Sequence, residues 1–206
     1  MIRRPTLVAS LLACALALSA CPEERARLAP KTEELLRAKA DERIASLLKG
    51  PKPSPFAAVV VFRSDVFLNQ SALLERSGIS LLDSFDNVAV LLLDVVNTPP
   101  LLAEDAVRKV RYLCPPRTLT RFHPAFLLSA LRAFGNGKED EPVPFFIRFR
   151  NLPSYEEVKA VQDAGFAVRS RDGINLSVSG PPAGLPRLLA LDRIIYYEGA
   201  SNLRTM

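Results

Sequence analysis

The sequence predicts an α+β protein built from two tandem βαββαβ units, each led by an amphipathic helix. Two observations carry that prediction. A stretch near residue 59 recurs 87 positions later, and each copy runs through the same succession of strand and helix patterns. Repeats of this kind fix the architecture before any single element is read.

The repeat begins with "VVVFRSDVFLNQSALLERSGIS" from Val59, which aligns without gaps to "FIRFRNLPSYEEVKAVQDAGFA" from Phe146. Phe62 then matches Phe149, Arg63 matches Arg150, Leu68 matches Tyr155, Leu74 matches Val161 and Gly78 matches Gly165. Introducing one deletion brings Val88, Val90 and Leu92 onto Ile174, Leu176 and Val178. Further on, Val110 and Tyr112 fall on Ile194 and Tyr196.

In the second copy Phe145, Ile147 and Phe149 alternate with Phe146, Arg148 and Arg150, the period of a half-buried strand. Ser154 and Glu157 form a capping box that opens a helix. Tyr155, Val158 and Val161 give that helix one apolar side. Gly165 ends it as a C′ glycine. Phe166 and Val168 start a second strand, Asp172-Gly173 makes a two-residue hairpin turn, and Ile174, Leu176 and Val178 form the third strand. Pro181-Pro182 punctuates. A short helix with Leu185, Leu188 and Leu189 follows, and Ile194 to Tyr197 closes the sheet. This order is the split βαβ, or ferredoxin-like, unit.

A helix leads each copy. Thr32 to Leu48 carries Leu35, Leu36, Ile44 and Leu47, and Pro124 to Phe134 carries Phe126, Leu127, Ala130 and Leu131. Polar links follow, "KGPKPSP" and "GNGKEDEP". The units therefore occupy 32–116 and 117–206, behind a tether at 21–31 and a leader at 1–20.

The leader has Arg3 and Arg4 ahead of an apolar run from Leu7 to Leu18, too short to span a bilayer as a helix. It has the form of a secretory signal. Losing the two arginines lowers the net charge of +5 by two. The small surplus is interleaved with Asp and Glu, which reads as a solvated surface and excludes a nucleic-acid footprint.

Catalytic and metal chemistry find few residues. His123 is the one histidine, and Pro124 after it places it at a helix cap. No G-x-S-x-G is present. After the leader, one histidine and a lone Cys114 make no metal set. Cys114, at the end of an apolar strand, reads as a buried small hydrophobe. Gly135-Asn136-Gly137 is a turn with no strand leading into it, a poor phosphate cradle. Glu156-Glu157 and Glu104-Asp105 are placed at helix starts or on helix faces. No catalytic residue, metal or cofactor is expected, and the sequence sets no oligomeric state.

The copies differ in one respect. Arg148, Arg150, Asn175, Ser177 and Ser179 mark a wet outer face in the second. At the positions taken as equivalent, the first has Val59, Val61, Ala89, Leu91 and Leu93. An apolar face of that size must be covered. Either another part of the chain packs on it, namely the second copy or the helix from Thr32 to Leu48, or a partner protein docks there.

Two resemblances add to this reading. Leu18-Ser19-Ala20-Cys21 resembles the bacterial lipobox, which implies cleavage before Cys21 and a lipid on its thiol, hence a membrane anchor without a spanning helix. Pro22 stands where that family places the aspartate of inner-membrane retention, so the resemblance implies the outer membrane. The leading helix, polar link, "PVPFFIRFR" strand, Gly-ended helix and strand–turn–strand resemble the subtilisin-type propeptide (peptidase inhibitor) family. In that family an open sheet face rests on a protease and the C-terminal tail enters its cleft. The matching tails are "CPPRTL" and "EGASNLRTM", the latter opening with Glu198, Gly199 and Ala200. No protease accompanies them, so only a role in trans remains. The expected function is a non-enzymatic envelope lipoprotein that binds protein, with a freestanding protease inhibitor as the alternative.

Overall fold

The computed structural model describes residues 30–50 and 54–199. The leader, Cys21, the tether before Pro30 and the tail from Ala200 lie outside these residues. The chain is a mixed α+β structure with two four-stranded antiparallel sheets. The first contains β1 (Phe56–Phe62), β2 (Ser80–Phe85), β3 (Val88–Leu93) and β4 (Val107–Cys114), in the order β2-β3-β1-β4. The second contains β5 (Val143–Phe149), β6 (Ala167–Asp172), β7 (Asn175–Gly180) and β8 (Ile194–Gly199), in the order β6-β7-β5-β8.

The sheets share one register. Val60 pairs with Ala89 and Val110, and Ile147 pairs with Leu176 and Tyr197. All three positions are 87 apart, and so are the irregularities at Leu81/Asp83 and Val168/Ser170. The repeat therefore runs without a gap through all four strands, and the expected deletion is corrected. Val88 matches Asn175 rather than Ile174, and Val110 matches Tyr197 rather than Ile194. The hairpin turn moves with it: Asp172 pairs with Asn175, so Gly173 and Ile174 form the loop. Gly173, at φ 54, and its counterpart Asp86, at φ 50, both take the left-handed conformation that a two-residue turn demands.

The leading element of the first copy is two helices, not one: α1 (Pro30–Lys39) and α2 (Glu42–Lys49). The break lies at Asp41. Its carboxylate accepts from Ile44 N at 3.0 Å as an N-cap and from Tyr112 N at 2.7 Å. A side chain that satisfies backbone donors in this way stops a helix. Just before it, Ala40 makes a parallel bridge to Val110. Phe122 makes the corresponding bridge to Tyr197, just before His123. Each sheet thus has its fourth strand flanked by the chain that leads into its own helix.

α3 (Val66–Asn69) and α4 (Ser71–Arg76) follow β1, and α5 (Thr98–Ala103) follows β3. They cover one face of the first sheet, over Phe56, Ala58, Val60, Phe62, Ala89, Leu91 and Leu93. Lys39 Nζ donates to the carbonyls of Leu102 and Glu104, each at 2.8 Å, and so closes the end of α5. Glu104-Asp105 therefore follows that helix rather than opening one. In the second copy α7 (Tyr155–Asp163) has its capping box complete. Val161 is buried, but Tyr155 is 81% exposed and does not join the apolar side. α8 (Leu185–Leu188) follows β7.

The remaining helix, α6 (Pro124–Gly135), joins the halves. It packs on β8 and also on β1, β2 and β3. Its buried side chains Phe126, Ala130, Leu131 and Phe134 share one core with Ala57, Val59, Val61, Val88 and Val90 of the first sheet and Phe145 and Tyr197 of the second. Burying a Val, Leu or Phe side chain there contributes roughly 1.5–3 kcal/mol.

Candidate functional site

The proposed apolar docking residues are all inside the protein. Val59 and Val61 are 1% and 4% exposed, and Ala89, Leu91 and Leu93 are fully buried. They do not form one face. Direct cross-strand partners lie on the same face of a sheet, and Val60 faces Ala89 while Val59 faces Val90. Ala89, Leu91 and Leu93 therefore sit under the helices of their own half, and Val59 and Val61 sit on the back under α6. Of the two ways of covering the back face, the internal one is found, with a helix of the second copy as the cover. The expected Ala89, Leu91, Leu93 surface came from the one-residue slip, which turns every side chain of a strand over.

Three contacts seat α6. A Cβ on Gly135 would lie 2.8 Å from Val88 Cγ2, so the helix meets the β2–β3 hairpin where it has no side chain. The Arg132 guanidinium lies 4.7 Å from the centre of the Phe85 ring. Beyond the helix, Glu139 pairs with Lys109 of β4. Burial alone would push the Glu139 carboxyl up, but the Lys109 ammonium and a backbone donor outweigh it, and its pKa is lowered.

The back of the second sheet has no such cover among the described residues. Arg148, opposite Asn175 and Tyr196, donates to Asn175 Oδ1 at 3.1 Å. Phe146, opposite Ser177 and Glu198, is partly exposed, as are Ser177, Ser179, Tyr196 and Glu198. The wet face expected from Arg148, Asn175, Ser177 and Ser179 is there, and Arg150, also exposed, lies just past the end of β5. Phe146 shares that face through the alternation of β5, whereas Tyr196 and Glu198 of β8 join it through the register, which alternation along β5 alone does not reveal.

Glu198 and Gly199 are sheet residues, paired with Phe146 and Phe145. They do not begin a free tail, and Ala200 lies outside the described residues. The first-copy segment "CPPRTL" is equally fixed. Cys114 pairs with Ala57, and Pro116–Arg121 is a 3-10 segment that leads towards α6.

His123 is the N-cap of α6, with Nδ1 accepting from Ala125 N at 3.2 Å. Cys114 is buried, and burial pushes its thiol pKa up to about 12, against the partial opposition of Arg121. A thiol so hard to ionise is a poor nucleophile or metal ligand. Among the described residues no group of three or more His, Cys, Asp or Glu is placed to hold a metal. No helix among them is long and apolar enough to cross a membrane. Comparison with known proteins finds no family model, curated protein or solved structure that matches the chain.

Proposed function

We propose that the protein is a non-enzymatic lipoprotein of the bacterial envelope that binds another protein through the open face of its second sheet. The observation that carries this reading is the contrast between the two backs. One is apolar and sealed by α6, whereas the other presents Arg148, Asn175, Ser177, Tyr196, Phe146 and Glu198 to solvent. Arg and Tyr are the side chains that most often anchor protein interfaces. The strand orders β2-β3-β1-β4 and β6-β7-β5-β8, with a helical connection before β2, β4, β6 and β8, support reading each half as a ferredoxin-like domain. The anchor rests on Leu18-Ser19-Ala20-Cys21.

The test compares envelope pull-downs by the wild-type chain, Arg148→Glu/Tyr196→Ala, and Lys159→Glu on the exposed face of α7. A partner held by the first and third but lost from the second supports the reading. A partner held equally by all three contradicts it. Cys21→Ser addresses the anchor separately. The variant is expected in the soluble fraction, and retention on membranes after a salt wash would remove the lipid as main tether.

The protease-inhibitor alternative has one observation of its own. β8, the last described strand, ends at Gly199 in register with β5, and the neighbouring Glu198 is on the open face. Inhibition of a subtilisin-type protease at sub-micromolar concentration, about −8 kcal/mol or better, and lost on deleting residues 200–206, would favour it. No slowing at tens of micromolar across a panel counts against it.

A further inference from the structure

A cleft of ≈ 180 Å³ lies at the junction of the two halves. One wall comes from α2, the end of β4 and the 3-10 segment, with Arg43, Tyr112, Arg117 and Arg121. The other follows α8 and ends at Asp192. Three arginines thus line a space that has a single acidic residue, Asp192, on its walls. Ion pairs among the described residues involve other groups and leave all three arginines without a carboxylate partner.

Two of these cations are held in place by contacts that do not neutralise them. The Arg43 guanidinium lies 4.2 Å from the centre of the Tyr112 ring. Arg121 Nη1 donates to the Ile194 carbonyl at 3.1 Å, which ties the connecting segment to the second half. A guanidinium carries five donors, so one bond leaves several available. Like charges gathered at a partly enclosed site repel one another unless an anion joins them. Guanidinium matches the geometry of phosphate and carboxylate oxygens. An excess of two positive charges favours a dianion over a monocarboxylate.

We propose that this cleft is an oxyanion site for a phosphate-type dianion, which bridges the two halves through Arg43, Arg117 and Arg121. The site is distinct from the open sheet face and does not depend on the function assigned to that face.

The test titrates inorganic phosphate into the full chain at constant ionic strength and follows the thermal midpoint. Constant ionic strength removes general screening. A saturable rise is expected. Arg121→Gln would also remove the bond to Ile194, so Arg117→Gln, on an exposed side chain, is the diagnostic variant. It should bind phosphate about tenfold more weakly, as for one lost charge-assisted hydrogen bond. Asp192→Asn should bind more tightly. A second arm sediments the chain with phosphatidic-acid or phosphatidylcholine vesicles. Retention on the former that is lost in Arg117→Gln, but kept in Arg169→Gln, assigns the phosphate to a lipid headgroup; saturation by free phosphate alone assigns a soluble ligand. No saturation by about ten millimolar phosphate together with no such retention overturns the site. Binding that Arg117→Gln and Asp192→Asn leave unchanged also overturns it.

Discussion

Phe62 and Phe149 occupy equivalent places in the two sheets, at 0% and 2% exposure. Each fills the helix-covered side of its sheet where the first strand ends. Truncation to Ala should cost about 3–5 kcal/mol at either site, the range for a buried aromatic. Urea unfolding measures this, and a loss under about 1 kcal/mol would remove either residue from the core. Cys114 makes a prediction of opposite character. Burial raises its thiol from its ordinary 9.0 to about 12, and also raises Tyr112 and Tyr197. Each group is held neutral in the fold and ionises first in the unfolded chain. Their stabilisation is therefore complete below the unfolded pKa and is lost as pH rises through the folded one. The thiol begins this loss earliest, in a window from 9 to about 12. Urea midpoints taken across that window should fall with pH, and Cys114→Ala should flatten the first part of the fall. An unchanged slope in that variant would contradict the burial argument.

At the scale of elements, α6 and the α1–α2 pair show what could be read from the sequence and what could not. His123 before Pro124 announced the start of α6, and Ser154 with Glu157 announced α7, because those signals are local. The break at Asp41 was hidden. Thr32 to Leu48 has near-helical apolar spacing throughout, and only the distant Tyr112 N–H gives Asp41 its second partner. Register was hidden for a similar reason. "VAVLLL" is apolar at every step, so alternation cannot tell its two faces apart, and a slip of one residue fits as well as the true pairing. The candidate surface inherited that slip. Asp41→Ala should cost about 0.5–2 kcal/mol as a lost cap, with the loss of α2 docking visible as faster amide exchange at Tyr112. Full protection at that amide would show that the cap is dispensable.

For the whole molecule, the two halves are joined by more than a connecting segment. α6 lies by its own β8 and closes the back of the other sheet, Glu139 reaches Lys109, and Arg121 reaches Ile194. This placement leaves the polar back of the second sheet as the one without a cover among the described residues. The claim on which this rests is that α6 covers the first sheet at the Val88 hairpin. Cysteines at Val88→Cys and Gly135→Cys, in a Cys114→Ala background, test it most directly, since Gly135 approaches Val88 within side-chain contact and a disulfide needs neighbouring Cβ atoms. Under mild oxidation the account predicts a peptide linked between positions 88 and 135, seen by mass spectrometry of the folded protein. A folded protein in which both thiols stay free, and which binds a hydrophobic dye in its native state, would show that the face is open and contradict the account.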